Sequence, residues 1–454
     1  MKQLTFYHLL SDITLEEVFQ AYFDCRKHKR RSMSALKFET NYEQNLINLW
    51  KDIRQQTYHV SSSNAFIVRH PVLREIFAAN FQDRIVHHLI IGKLLQLFEK
   101  EFYDHSYSCR VGKGTLFGIR SVYEMLQTCS HHFTQDCYVL RLDIQGFFFH
   151  IDKTILFKKI ENLIHAQYHH TNKEQILYLL KEILSDNPIS HCHYQTPIAD
   201  WKELPQSKSL FFADKNCGLP IGNLTSQIFA NFYLNDFDYY ASSLDSNLFY
   251  ARYVDDLIFI HPDKDYLRQV KKQVADYLQS ELHLTIHPKK ISLQHYGKGF
   301  AFTGAYILPN RIYPSKRLQK TFYQKIEQLN QEWKQPLTNH NKMALIEKTR
   351  STLNSYFGML RHFNCWRVKL KAWNMLCSEI RDIFSTDMNF TKVSVDVTLN
   401  NKLKLQKRKC LTSFACPVRN RKKVFFAPVS IHKGRKGKQQ INGHKQQRRL
   451  FIGT

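Results

Sequence analysis

Three acidic residues stand inside apolar, strand-like sequence, where an isolated carboxylate would be costly. Asp143 closes the apolar run that starts at Tyr138, and Asp255 and Asp256 interrupt a second run over residues 248–262, LFYARYVDDLIFIHP. Clustered carboxylates at the edge of a core raise one another's pKa unless a cation neutralises them, and a hard divalent ion does this well. The three acids therefore predict a Mg²⁺ site. A solvated Asp-Asp turn is the alternative, and the flanking aromatic residues disfavour it.

The elements that carry these acids are predicted to be short strands surrounded by helices. Residues 138–144 alternate in the manner of a half-buried strand, and residues 248–262 indicate a hairpin that turns at the acidic pair. Apolar residues at three- and four-residue spacing predict helices over 14–26, 82–102, 312–333 and 340–382. Helices around a small antiparallel sheet make an α+β architecture.

The composition is that of a globular and strongly basic chain. Its 454 residues include 65 Lys and Arg against 39 Asp and Glu, a net charge of +26, and 43% of them are hydrophobic, which is ample for a core. A surplus of this size suits a polyanion, because each cation placed on a phosphate backbone releases counterions. Nucleic acid is therefore the leading class of partner, and an anionic membrane surface is the second. The segment 401–454 holds 16 of the Lys and Arg residues and no acid.

Neither cysteine spacing nor hydropathy indicates a secreted or membrane protein. The 10 cysteines are spread along the chain without a CxxC pair, so no disulfide scaffold or zinc ribbon is predicted. Acids at positions 12, 16 and 17 interrupt the N-terminal apolar residues, and no stretch reaches the roughly 20 apolar residues that a spanning helix needs. We expect a cytoplasmic protein without membrane attachment.

Three segments around the acids resemble the palm motifs of reverse transcriptases. Residues 253–256, YVDD, resemble the YxDD box, and residues 142–148, LDIQGFF, resemble the aspartate motif that precedes it. Between them, residues 218–227, GLPIGNLTSQ, resemble the loop-and-helix motif that most of the family writes as QGxxxSP. Ile221 in place of the Gln, and Gln227 in place of the Pro, form the variant that resembles diversity-generating retroelement enzymes.

Further segments extend the resemblance over about residues 20–380. Three segments, 66–78, 83–88 and 107–115, resemble the fingers motifs of this subfamily. Three later segments resemble the end of the palm and the thumb: HPKK at 287–290, FTGAY at 302–306 and YFGMLRH at 356–362. The resemblance implies a right-hand polymerase fold. Its parts would be fingers over 1–137, a palm over 138–310, a helical thumb over 311–385 and a basic, flexible nucleic-acid-binding tail over 386–454.

Nucleotide addition needs carboxylates that hold two Mg²⁺ ions, one at the primer hydroxyl and one at the triphosphate. Asp143 and Asp255 are the predicted bridging ligands. The resemblance implies that Asp256 is the third, supporting acid. It also implies that the backbone carbonyl of Ile144 completes the coordination of one ion.

The resemblance also implies roles around the incoming nucleotide. Arg74 matches the position that grips the triphosphate, with a surface ion pair as the alternative role. Phe148 matches the aromatic residue that packs under the deoxyribose and excludes a 2′-hydroxyl, while its two phenylalanine neighbours are expected in the core. Ile221, Gly222 and Gln227 would line the nucleotide site. Because isoleucine lacks the hydrogen bond that Gln would make, we expect weaker discrimination between nucleotides.

The predicted function is RNA-directed DNA polymerisation. The partners implied are template RNA, a primer/cDNA duplex, dNTPs and a small basic accessory protein, in an error-prone diversity-generating retroelement. A retron-like or phage-defence reverse transcriptase would keep the same chemistry, and Thr303-Gly304 is closer to the retron pattern. A catalytically silent RNA-binding scaffold would keep only the binding. Residues 186–216, with three prolines, form an insertion that we expect to be a surface excursion.

Overall fold

The structure is a computed structural model, and it describes residues 12–27, 32–70, 72–336 and 339–395. The chain divides into two compact units, Met1–Asn310 and Arg311–Thr454. The division of the chain into fingers, palm and thumb remains a prediction. Within the described ranges, no helix has the length and apolar character needed to cross a membrane.

Helices and strands alternate irregularly along the first unit. Its helices are α1 (Leu15–Arg26), α2 (Met33–Glu39), α3 (Tyr42–Arg54), α4 (Phe81–Glu101), α5 (Thr115–Cys129), α6 (Phe147–His150), α7 (Lys153–Gln167), α8 (Lys173–Ser185), α9 (Leu224–Tyr233), α10 (Asn235–Ser243) and α11 (Lys264–Leu282). Its strands are β1 (Asn64–Val68), β2 (Arg74–Ala78), β3 (Tyr138–Asp143), β4 (His193–Tyr194), β5 (Phe249–Tyr253), β6 (Asp256–His261), β7 (Ser292–His295), β8 (Phe300–Phe302) and β9 (Ala305–Leu308).

A four-stranded antiparallel sheet in the order β5-β6-β3-β7 carries the predicted acids. β5 and β6 form the hairpin that the sequence predicts. Residues 257–260 of β6 are all buried, which explains their continuous apolar sequence, because a strand covered on both faces does not alternate. The helices α4, α7, α9 and α11 contribute to the apolar core around this sheet. The α+β prediction is confirmed.

A second sheet joins the fingers segment to the insertion. β1 pairs antiparallel with β2 and parallel with β4, which belongs to residues 186–216. Trp201, Leu204 and Leu210 of the insertion are buried in a separate core with apolar residues of β1 and β2. The prediction of a surface excursion is wrong, because short 3₁₀ turns between prolines bury apolar residues without helical or strand periodicity.

The second unit is helical with its own core. It contains β10 (Arg311–Pro314), α12 (Lys316–Trp333), α13 (Asn339–Leu360), α14 (Trp366–Asn374), α15 (Ser378–Arg381), β11 (Phe384–Thr386) and β12 (Val393–Val395). The core includes the buried residues Phe322, Ile326 and Phe357. The single helix predicted over 340–382 is broken after Leu360, where Asn364 accepts a hydrogen bond from the Ile312 N–H at 2.9 Å.

The predicted start of the basic tail at residue 386 is too early. β11 and β12 pair antiparallel, and the Asn354 side chain exchanges two 2.8 Å hydrogen bonds with the backbone of Val393. Residues 386–395 therefore belong to the folded second unit. The rest of the predicted tail, 396–454, lies outside the described residues.

Candidate active site

The three predicted acids meet at the end of the central sheet. Asp143, the last residue of β3, lies directly opposite Asp256, the first residue of β6. The Cα atoms of such antiparallel partners are about 5 Å apart. The backbone N–H of Ile144 donates to the carbonyl oxygen of Asp255 at 3.1 Å. Strand pairing thus makes neighbours of acids that are distant along the chain.

Burial and mutual repulsion oppose the ionisation of these acids. Burial, with the charges of Asp256 and Asp143, raises the pKa of Asp255 to about 7. Burial also raises the pKa of Asp256, although the nearby Arg141 acts in the opposite direction. In the part of the chain that the structure describes, no three His, Cys, Asp or Glu side chains form a ready metal-binding group. The donor chemistry still fits a hard divalent cation, which would relieve the repulsion.

Two cationic side chains accompany the acids. The ammonium Nζ of Lys290 lies 2.6 Å from Oδ2 of Asp143, and Nη2 of Arg141 lies 4.0 Å from Oδ1 of Asp256. These four residues line a cavity of about 260 Å³ together with Leu142, Lys289, Ile291 and Ser292. Sequence reasoning gave no role to Lys290, because its partner Asp143 is distant along the chain.

The backbone of the turn between β5 and β6, which carries Asp255, is strained. Val254 has φ +56°, which is rare for a β-branched residue. Its carbonyl oxygen accepts a hydrogen bond from Nη1 of Arg252 at 3.2 Å. Arg252 and Asp238 are both fully buried and form an ion pair, in which Nε donates to Oδ1 at 2.7 Å. The buried guanidinium thus holds the strained turn from inside the palm.

The remaining hydrogen-bonding capacity of this ion pair is also used. Asn231 accepts from Arg252 through its side-chain oxygen at 3.1 Å and its backbone carbonyl at 3.2 Å. The Tyr250 hydroxyl donates to Oδ1 of Asp238 at 2.7 Å. Removing one partner of such a pair costs about 3–5 kcal/mol, because it leaves a buried charge unpaired. Sequence reasoning missed this network, and its signal is an Arg and an Asp within otherwise apolar segments.

Phe148 differs in burial from the phenylalanines beside it. Phe147 and Phe149 are buried, whereas Phe148 is only partly buried. This agrees with the expectation that two of the three rings belong to the core. The carbonyl oxygen of Phe148 accepts a hydrogen bond from the Leu219 N–H at 2.7 Å, so the aspartate motif is tied to the loop motif.

The loop motif is fastened to strand β2. The Phe77 N–H donates to the carbonyl oxygen of Ile221 at 3.1 Å, and the Ala79 N–H donates to the side chain of Asn223 at 3.1 Å. Gly222 has φ +117°, and a Cβ there would lie 2.9 Å from Cγ2 of Ile76. Glycine is required at this position by both the backbone conformation and the close approach of β2.

Two further predicted residues lie on elements beside this loop. Arg74, the first residue of β2, is exposed and makes no side-chain hydrogen bond or ion pair with the residues that the structure describes. Gln227, in α9, accepts a hydrogen bond from the Cys109 thiol at 3.5 Å. The structure brings Asp143, Asp255 and Asp256 together. Among the contacts described, none joins Arg74 or Gln227 to them directly.

Comparisons with solved structures and curated proteins give distant similarities. Protein YkfC of Escherichia coli (strain K12) is 22% identical over 274 residues, which cover 53% of this chain and 64% of YkfC. The chain thus spans less than two thirds of that relative. Apo telomerase from Candida tropicalis, truncated from the C-terminal domain, has a TM-score of 0.42 at 12% identity, with 56% of this chain and 55% of that chain covered. Telomerase from Candida albicans in complex with a TWJ fragment of telomeric RNA has a TM-score of 0.42 at 11% identity, with coverages of 75% and 64%.

A family model also matches the chain. The model for reverse transcriptase (RNA-dependent DNA polymerase) matches residues 72–307, more than half of the chain. The matched range contains the three acids, the loop motif, Phe148 and Arg74. On the extent of this match, the chain belongs to the reverse transcriptase family.

Proposed function

We propose that this protein is an RNA-directed DNA polymerase that extends a primer on an RNA template with dNTPs. The observation that carries the proposal is the pairing of Asp143 with Asp256, with Asp255 adjoining Ile144, inside a reverse transcriptase domain. The reaction is in-line attack of the primer 3′-hydroxyl on the α-phosphorus, with pyrophosphate as the leaving group. Charge accumulates on phosphate oxygens, so the protein acts mainly by positioning and by electrostatic stabilisation.

Reverse transcriptase domains generally use divalent metal ions, and we propose two Mg²⁺ ions for this one. Asp143 and Asp255 would be their main carboxylate ligands, Asp256 would be the supporting acid, and the backbone carbonyl oxygen of Ile144 would be a further ligand. When bound, such ions lower the pKa of the attacking hydroxyl and neutralise the triphosphate. The 2.6 Å contact of the Lys290 ammonium with Asp143 shows that this carboxylate is placed to pair with a cation.

The residues around the acids are proposed to select the nucleotide. Arg74 grips the triphosphate, and its exposed guanidinium offers planar, bidentate phosphate recognition. The partly buried ring of Phe148 packs under the deoxyribose and excludes a 2′-hydroxyl. Ile221, Gly222 and Gln227 line the nucleotide site.

We further propose that the enzyme copies its template with errors, as part of a diversity-generating retroelement. Ile221 carries this proposal, because its side chain offers the nucleotide no hydrogen bond, and a contact of that kind is what a wrong substrate leaves unpaired. The nucleic-acid partners are then a template RNA and the primer/cDNA duplex, and the net charge of +26 favours binding to both. The proposed protein partner is a small basic accessory protein.

Replacing an acid should remove catalysis without removing RNA binding. We expect Asp143→Asn and Asp255→Asn to reduce dNTP incorporation by at least about 10³-fold, because each loses several kcal/mol of transition-state stabilisation by the metal ions. Primer extension on an RNA template, with RNA affinity measured in parallel, tests this. Asp265→Asn, on the exposed start of α11, is the matched control and should retain activity. Polymerisation by either purified active-site variant would remove the assignment.

The repulsion among the acids should be visible in stability. The raised pKa of Asp255 means that the folded protein resists its ionisation, so the penalty is absent below about pH 4, grows as the pH rises and is complete above about pH 7. Without metal, Asp255→Asn should therefore raise the Tm at pH 8 and change it little at pH 4. Mg²⁺ should raise the Tm of the wild type more than that of the variant. Thermal unfolding that shows a lower Tm for the variant at pH 8, or no effect of Mg²⁺ on the wild type, would contradict the proposed site.

Sugar selection should depend on the ring of Phe148. Phe148→Ala should increase rNTP incorporation relative to dNTP incorporation, because the space for a 2′-hydroxyl opens. Phe23→Ala, which removes a half-exposed ring on α1, is the matched control. Steady-state kinetics with paired rNTP and dNTP substrates measures the ratio, and an unchanged ratio would count against the proposed role.

Fidelity should respond to the residue at position 221. Ile221→Gln restores a hydrogen-bonding side chain, so we expect fewer misincorporations at template adenines, whereas Ile221→Leu keeps an apolar side chain and should leave the error rate near that of the wild type. Sequencing of cDNA copied from an adenine-rich template supplies the error spectrum. Identical spectra for the wild type and Ile221→Gln would break the link between this residue and copying errors.

A further inference from the structure

The 186–216 insertion contacts each of the three backbone segments that carry the proposed nucleotide-binding residues. We propose that the insertion positions the residues that bind the incoming dNTP. It does so through a buried hydrogen-bond cluster, the Glu75 node, which consists of Glu75, Trp201, Ser209 and Leu210. The inference rests on the proposed polymerase function, because the pocket concerned is the one assigned to the dNTP. It assigns a functional effect to residues that touch neither the substrate nor the catalytic acids.

The first contact is a buried carboxylate next to Arg74. Glu75 is 1% exposed and accepts hydrogen bonds from three donors of the insertion: Nε1 of Trp201 at 2.8 Å, the Ser209 hydroxyl at 2.7 Å and the Leu210 N–H at 2.7 Å. Successive side chains of a strand point to opposite faces, so Glu75 anchors the inner face of β2 while Arg74 stays on the outer face. The insertion thus fixes the position of β2, the strand that carries Arg74, the residue proposed to bind the triphosphate.

The hydrogen bonds of the Glu75 node fix one position of β2 relative to the insertion. Burial raises the pKa of Glu75, and the hydrogen bonds from the Leu210 N–H, the Ser209 hydroxyl and the Trp201 ring act against that rise. The donors are themselves buried or nearly so, and each would be left unpaired without the carboxylate. An apolar contact could slide along the strand, whereas three hydrogen bonds from one segment to one carboxylate set the position of β2 against the insertion.

The second contact is with the backbone that follows Asp143. Gly146 has φ +56°, and a Cβ there would overlap the carbonyl oxygen of Ser207 in the insertion. Phe149 is buried in the same separate core as Trp201 and Leu210. The short helix that presents Phe148 is therefore packed between the palm and the insertion.

The third contact is with the loop motif. A Cβ on Gly218 would lie 2.5 Å from Cδ2 of Leu210, so the insertion and the start of the loop are in close approach. Ile221 packs against the core that Trp201 and Leu210 help to form. One segment thus contacts β2, the Phe148 helix and the Ile221 loop, which are the three parts of the proposed nucleotide pocket.

The insertion is also continuous with the fingers sheet. The His193 N–H donates to the carbonyl oxygen of Ser63 at 2.7 Å, and the Gln195 N–H donates to that of Ala65 at 2.8 Å. These bonds hold one end of the insertion on β1, while Glu75 holds the other end on β2. A disturbance at the Glu75 node is therefore expected to loosen the nucleotide pocket rather than the three acids, which lie on the central sheet.

The test measures KM for the dNTP and kcat separately, with the full-length protein on an RNA template, and asks whether a variant changes KM alone. We expect KM for dTTP to rise about tenfold in Glu75→Gln and about threefold in Ser209→Ala, while kcat and the affinity for the primer-template stay within about twofold. Ser209→Thr keeps the hydroxyl and should restore KM. Glu203→Gln is the matched control, because Glu203 belongs to the same insertion but pairs with Arg69 at the surface.

The outcomes separate the inference from the proposed function. A wild-type protein that incorporates no dNTP would remove the proposed function and this inference with it. An active wild type with an unchanged KM in Ser209→Ala and in Glu75→Gln would overturn the positioning role alone. A Ser209→Ala variant that loses kcat, primer-template affinity and Tm together would also overturn it, because that pattern belongs to general destabilisation. Ser209→Ala removes one hydroxyl, so the test stands even where Glu75→Gln does not fold.

Discussion

Three carboxylates that repel one another, those of Asp143, Asp255 and Asp256, have to be held together at the end of a buried sheet. The structure of the palm follows from that constraint. Asp143 and Asp256 are direct partners in the β3–β6 register, so a slip of one residue would turn one of them to the other face of the sheet. β6 is hydrogen-bonded on both sides, to β3 and to β5, and a slip would disturb both pairings. Lys290 and Arg141 offset the resulting charge without separating the acids.

The same constraint explains the buried ion pair beneath the site. The turn that presents Asp255 contains a β-branched residue at positive φ, and such a conformation persists only where the surroundings impose it. Arg252 does so through the Val254 carbonyl, and its own charge is matched by Asp238. The backbone of Arg252 also exchanges hydrogen bonds with His105 and Tyr107, at 2.9 and 3.1 Å. The acidic turn and this fingers segment are therefore fixed by one residue.

Sequence reasoning found the parts of the site whose residue types conflict with their surroundings. Asp143, Asp255 and Asp256 were identifiable because acids interrupt apolar strands, and the hairpin followed from its aromatic and β-branched residues. The Glu75 node was not identifiable, because a Glu in an alternating strand is ordinarily a solvent-facing residue and its donors are distant along the chain. The same holds for the Arg252–Asp238 pair and for the packed insertion, in which tertiary contacts rather than periodicity decide the structure.

The most direct test of the central claim is to locate divalent ions at the three acids. Crystals of the protein with primer-template, a non-hydrolysable dNTP analogue and Mn²⁺ would give an anomalous difference map. We expect two peaks about 3.5–4 Å apart, both next to the carboxylates of Asp143 and Asp255, with the Lys290 ammonium displaced from Asp143. A map without peaks at these acids, with Lys290 still on Asp143, would contradict the assignment of the site.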